Sequence, residues 1–192
     1  MTQTVRSFFA IDVPGPLRSR MSKVLALLRT RLNGDRVRWA VADNLHVTLR
    51  FLGDVSSHVL PDVVASVAKE LAGTPAFECH LGELRGFPTL RNPRVIAVNL
   101  DAEGHLSELA EAVDRGVVAA GLSADPRGFR AHLTLGRLRG RAHPSLHDEF
   151  HLGGVPLHVD RVTLFRSDLR PAGAVYTSLE SIELGVKGAA QN

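Results

Sequence analysis

Apolar and polar positions alternate with two distinct periods along the chain, and the changes of period mark its elements. Residues 7–13, Ser-Phe-Phe-Ala-Ile-Asp-Val, are almost continuously apolar and predict a buried strand stopped by Pro14-Gly15-Pro16. Leu17, Met21, Val24, Leu25 and Leu28 then recur at helical spacing, and Asn33-Gly34 suits the left-handed turn that ends such a helix. An extended stretch over 36–39 leads to a strand over 46–51, which Gly53-Asp54 closes. Ser56 or Ser57 is placed to cap a helix with Leu60, Val63, Val64, Val67 and Leu71 on its apolar stripe. Strands are predicted over 77–84 and 95–100 around a loop at 86–93. They are followed by a helix carrying Leu106, Leu109, Ala110, Val113 and Val117 that ends near Gly121. A turn at 125–128 precedes a strand over 129–138, Pro144 opens a short helix, and strands over 157–165 and 174–184 close the chain. Strands flanking helices across hairpin-sized connections imply mainly antiparallel pairing, an α+β class in which the 46–51 and 129–138 strands are neighbours.

Those two strands carry the same tetrapeptide. His46-Val47-Thr48-Leu49 returns 86 residues later as His132-Leu133-Thr134-Leu135. Side chains alternate along a strand, so each copy turns an imidazole and a hydroxyl one way and two apolar residues into the core. Leu52-Gly53 after the first copy and Leu138-Arg139-Gly140 after the second extend the correspondence and point to an internal duplication. Brought together about a pseudo-twofold axis, the strands face a common cleft with two imidazoles and two hydroxyl donors. A phosphodiester fits that inventory: one imidazole takes a proton from water, the other gives one to the departing oxygen, and the hydroxyls hold the non-bridging oxygens. A lone His-x-Thr would more simply be a packed or surface histidine; the repetition favours catalysis.

Composition narrows the setting. The 192 residues make one compact domain, 1–192, with 44% hydrophobic and 22% charged residues, no apolar run long enough to span a bilayer and no secretory leader pattern, which points to the cytoplasm. Cys79 is the single cysteine, so neither an intramolecular disulfide nor a cysteine-rich metal site is expected. A net charge of +3 suits an anionic partner, but 5% aromatic residues furnish little for a long single-strand stacking platform, so a short RNA end is the better match. No glycine-rich phosphate loop argues for a nucleotide cofactor. His143, His147 and His151 recur at four-residue steps, but Gly153-Gly154 follows closely and no carboxylate completes a metal spacing, so a surface helix is the simpler reading.

The two tetrapeptides, with Arg6-Ser7-Phe8-Phe9-Ala10-Ile11-Asp12-Val13-Pro14 ahead of them, Asn44 to Gly53 around the first, and Ser167-Asp168-Leu169 and Tyr176 near the end, resemble the 2H phosphoesterase superfamily, specifically its RNA 2′,3′-cyclic phosphodiesterase branch, also called 2′-5′ RNA ligase-like. The chain has Ala131 and Gly136 where that branch usually has Pro and Ala, changes that bear on strand geometry rather than on reacting groups. The resemblance implies a bilobal α+β fold of two pseudo-symmetric lobes with the cleft between them. It further implies no cofactor or metal, and hydrolysis of RNA 2′,3′-cyclic phosphate ends, or of small nucleotides bearing that group, to 2′-phosphates by a monomer. On the family pattern His46 is the proton donor and His132 the proton acceptor; the pseudo-symmetric sequence alone does not distinguish them. Thr48 and Thr134 bind phosphate.

Arg130, two residues before His132, is a further phosphate-binding candidate, and alternation also puts Asn44 and Arg50 on the His46 side. For base stacking, Trp39 and Tyr176 remain, since Phe51 and Phe129 fall on the core side by the same alternation. Two rival functions stand beside hydrolysis: 2′-5′ RNA ligation at the same site, and a non-catalytic RNA-end or nucleotide-binding module, which the intact histidines and threonines disfavour.

Overall fold

The computed structural model describes residues 3–31, 37–87, 89, 93–101, 104–139, 152–171 and 173–185. The turn expected at Asn33-Gly34, the short helix at Pro144, and His143, His147 and His151 lie outside them. The elements run β1 (Thr4–Asp12), α1 (Gly15–Arg31), β2 (Val37–Trp39), β3 (His46–Ser56), α2 (Leu60–Leu71), β4 (Phe77–Phe87), β5 (Val95–Asp101), α3 (His105–Ala119), β6 (His132–Leu138), β7 (Val155–Val159), β8 (Arg161–Arg170) and β9 (Gly173–Glu183). One sheet has the order β3-β1-β8-β9 and the other β2-β6-β5-β4-β7, every pairing between these strands antiparallel. This is the bilobal α+β architecture, and it contains the duplication: β1-α1-β3 in one lobe repeats as β5-α3-β6 in the other.

Apolar helix faces cover the sheets. Leu17, Met21, Leu25 and Leu28 of α1 are buried, as are Val63 and Val67 of α2 and Leu109, Val113 and Val117 of α3. The helices α2 and α3 approach so closely that a Cβ on Gly116 would lie 2.6 Å from the Cα of Val67, which is why that turn of α3 takes glycine.

Several expected boundaries shift for identifiable reasons. The run 157–165 is two strands rather than one: the chain crosses at Asp160 from β7 in the second sheet to β8 in the first. Neither Ser56 nor Ser57 caps α2; residues 57–59 form a 3-10 turn, and Ser56 Oγ instead meets His58 Nδ1 at 2.7 Å. Gly53 does not close β3 but bends it, at φ 75°, and the strand continues to Ser56. The motif strands β3 and β6 are neighbours across the lobe interface, in contact but in different sheets.

Bulges produce the largest departure from simple alternation. Opposite β1, Ala10 pairs with Thr48 and Phe9 with Arg50, leaving Leu49 as the extra residue; opposite β5, Ala97 pairs with Thr134 and Ile96 with Gly136, leaving Leu135. An extra residue flips every later side chain to the other face. Both motif strands accordingly share one burial sequence over their first seven residues, with Leu49-Arg50 and Leu135-Gly136 each buried in succession. Phe51, placed in the core by alternation, is therefore on the cleft side and 38% exposed. Arg50, expected to face the cleft, is instead buried.

Candidate active site

The two histidines are held alike. His46 Nδ1 lies 2.7 Å from the carbonyl oxygen of Asn44, and His132 Nδ1 lies 2.7 Å from that of Arg130. In each case the partner is the carbonyl two residues earlier, so Nδ1–H donates to the backbone and the lone pair of the neutral ring lies on Nε2. Thr48 and Thr134, two residues on along the same faces, are half-buried beside them. Cross-strand partners repeat as well: Asp12 is opposite His46 and Asn99 opposite His132.

The surroundings differ. His46 sits among aromatic rings, with centroids 4.8 Å from Phe8, 5.0 Å from Tyr176 (edge-on) and 6.5 Å from Phe165. His132 has Phe87 at 5.4 Å. Burial pushes the His46 imidazolium below its ordinary pKa of 6.5; the Asn44 carbonyl and the Asp12 carboxylate oppose that shift, while the nearby His132 and Arg137 add to it.

Of the other candidates, Tyr176 on β9 packs edge-on against His46 and also at 5.0 Å on Phe8, so it is at the cleft. Trp39, in β2, is half-buried against the core, with its ring 3.0 Å from the place a Cβ on Gly136 would occupy. This approach explains the glycine in the second motif. Arg130 precedes β6, exposed, and its carbonyl orients His132. Asn44 donates through Nδ2 to the carbonyl of Ala174 at 2.7 Å, fastening the entry of β3 to β9.

Arg50 belongs to the lobe seam. Its Nε is 2.5 Å from Asp114 of α3 and its Nη1 3.5 Å from Asp125, and it donates to the carbonyls of Phe51 and Ser123. Asp125, bonded to Arg127 and close to Arg50, has its carboxyl held down to about 2. The segment leading into Arg130 and His132 is thereby tied to the strand of His46.

Alternation missed two cleft residues, Phe51 and Arg137, and the buried Phe8 that packs against His46 and Phe51. The rings of Phe8 and Phe51 pack at a tilt, with centroids 5.4 Å apart. Arg137 is the counterpart of Phe51 in the second repeat, five residues after the histidine in each case, and reaches the field of His46. Overlaying the two copies residue by residue, rather than counting odd and even positions, was the available signal. Among the described residues no group of three His, Cys, Asp or Glu comes together in a metal-holding cluster, and no helix is long and apolar enough to cross a membrane.

Two lobes offering paired His-x-Thr strands to one cleft define a 2H-type phosphoesterase, and the chain belongs to the 2′-5′ RNA ligase superfamily, whose sequence pattern matches residues 19–171. Within it the chain falls in the RNA 2′,3′-cyclic phosphodiesterase branch and is an enzyme of that type. It is 31% identical over 185 residues to the RNA 2′,3′-cyclic phosphodiesterase of Methanothermobacter thermautotrophicus, covering 94% of this chain and 99% of the relative. The crystal structure of TT0787 from Thermus thermophilus superposes with a TM-score of 0.79 at 29% identity, covering 95% and 99% of the two chains. Escherichia coli LigT complexed with 3′-AMP superposes with a TM-score of 0.76 at 26% identity, again covering 95% and 99% of the two chains.

Proposed function

We propose that this protein hydrolyses the 2′,3′-cyclic phosphate end of RNA to a 2′-phosphate and a free 3′-hydroxyl, using its two histidines and no metal. The observation that carries the reading is the matched pair of imidazoles, each with Nδ1 tied to a backbone carbonyl and Nε2 free, on strands that meet across one cleft. Acid and base on opposite sides of phosphorus suit in-line displacement, and the strain of a five-membered cyclic diester removes much of the need for a Lewis acid.

His132 acts as base: its Nε2 takes a proton from water as the water oxygen bonds to phosphorus. His46 acts as acid: as the bond from phosphorus to the 3′-oxygen breaks, its Nε2–H protonates that oxygen. Desolvation makes the His46 imidazolium a stronger acid, and the phosphate anion entering beside it supplies the charge that lets it hold a proton beforehand. Thr48 and Thr134 donate to the non-bridging oxygens, each contributing about 1–3 kcal/mol as charge develops, and Arg130 adds a charged donor for the same phosphate. Tyr176, whose ring is edge-on to His46, meets the terminal nucleotide in this reading. The crystal structure of E. coli LigT complexed with 3′-AMP, a nucleotide, supports the substrate class. We read the chain as a cytoplasmic monomer acting on RNA ends.

The test is turnover of an oligoribonucleotide ending in a 2′,3′-cyclic phosphate in EDTA, with the position of the product phosphate read by ³¹P NMR. A 2′-phosphate is expected. No turnover despite binding of the RNA end would replace the proposal with a binding module.

A further inference from the structure

The edge of the second sheet carries a feature without counterpart in the first. Arg38 of β2 pairs directly with Arg137 of β6, so the two guanidiniums stand side by side on one face. That is the face of His132 and Thr134, because the bulge at Leu135 returns Arg137 to the cleft side. Both arginines are exposed, and neither makes an ion pair or side-chain hydrogen bond among the described residues. Like charges on directly opposite residues repel, and among the described residues no carboxylate pairs with either. In the first sheet β3 is the edge strand, so no neighbour flanks Phe51 on that side.

The pair is also placed along the path of a substrate. Arg38 Nη2 lies 3.4 Å from where a Cβ on Gly173 would stand, so this side chain of the second sheet reaches the β8–β9 hairpin of the first. Gly173 is three residues before Tyr176, which packs on His46; at about 3.3 Å per residue the hairpin end lies roughly 10 Å along β9 from the imidazole. Arg137, opposite Arg38 on the neighbouring strand, is close enough to His46 to act on its charge.

We infer that Arg38 and Arg137 form a second phosphate site, which takes the phosphodiester on the 5′ side of the terminal nucleotide. It deepens the proposed function and rests on it: the enzyme's preferred substrate is an oligonucleotide end rather than a free cyclic mononucleotide.

The test compares kcat/KM for a 2′,3′-cyclic mononucleotide, a dinucleotide ending in the same cyclic phosphate, and that dinucleotide with a neutral methylphosphonate linkage. Wild type is expected to favour the charged dinucleotide over the mononucleotide at least tenfold, and the neutral linkage to remove most of that preference. Arg38→Gln should bring the ratio near one, Arg38→Lys should keep most of it, and the glutamine variant's slope of log kcat/KM against log salt should be shallower by about 0.7 on the dinucleotide. A wild-type ratio near one, a preference that survives the neutral linkage, or a ratio that Arg38→Gln leaves unchanged would overturn the inference alone. Absence of turnover on every substrate would instead overturn the proposed function.

Discussion

The two copies of the motif strand share a backbone and differ in what surrounds it. Each has its imidazole tied by Nδ1 to the carbonyl two residues back, its bulge after the threonine, and the same sequence of burial. But His46 is enclosed by Phe8, Tyr176 and Phe165 with Asp12 opposite, while His132 has Phe87 and a neutral Asn99. After the bulge Arg50 is set against Gly136, and Phe51 against Arg137. Duplication thus supplies two imidazoles held alike at matched positions, and divergence of the neighbours sets them in different surroundings. Catalysis by a paired acid and base needs both the match and the difference.

The comparison breaks most visibly at the imidazoles. His46→Ala and His132→Ala are each expected to lower kcat about 10³-fold, and the double variant to fall well short of the product of the two losses, because the groups act as a unit. A variant that kept more than a tenth of wild-type kcat would remove its histidine from the mechanism.

Next is the seam that one copy has and the other lacks. Arg50→Met strips Asp114 and Asp125 of their buried partner and should cost about 3 kcal/mol in urea unfolding. A cost below about 1 kcal/mol would mean the network does not hold the lobes. Thr48→Val and Thr134→Val should each reduce kcat about tenfold to a hundredfold without loss of fold, as checked by melting. A drop confined to one of them would show that only one copy grips the phosphate.

The smallest effect concerns pH. Because the fold lowers the pKa of His46 below 6.5, the unfolded chain binds its proton first. This contribution to stability is complete above pH 6.5 and is lost as pH falls from there through the folded value. Wild type should therefore lose more unfolding free energy between pH 7.5 and 5 than His46→Gln does, and equal losses would contradict the shift. With His46 as the acid, the alkaline limb of kcat/KM falls below pH 6.5, and that of kcat, with phosphate bound, lies higher.

Much of this was legible in the sequence. The duplicated tetrapeptide pointed to the two motif strands that meet across the lobes and to the α+β class, because side-chain alternation and helical spacing are local. What escaped was the work of single residues and distant partners. A bulge adds one residue and leaves no compositional mark, so Phe51 and Arg50 were assigned to each other's sides. Asp114 and Asp125, which explain the buried Arg50, are more than 60 residues away in sequence. The aromatic enclosure of His46 draws Phe8 and Tyr176 from opposite ends of the chain, so its lowered pKa follows only from tertiary structure. The apolar run across residues 157–165 hid a crossing between sheets at Asp160 for the same reason.

The division of labour between the histidines is tested most directly by changing the leaving group. In a substrate whose 3′-oxygen is replaced by sulfur, the departing thiolate needs no protonation near neutral pH, since a thiol's pKa is about 8.5. With His46 as acid and His132 as base, the sulfur substrate should restore turnover to His46→Ala by about a hundredfold or more and leave His132→Ala inactive. Rescue of His132→Ala instead, with His46→Ala still inactive, would contradict the account.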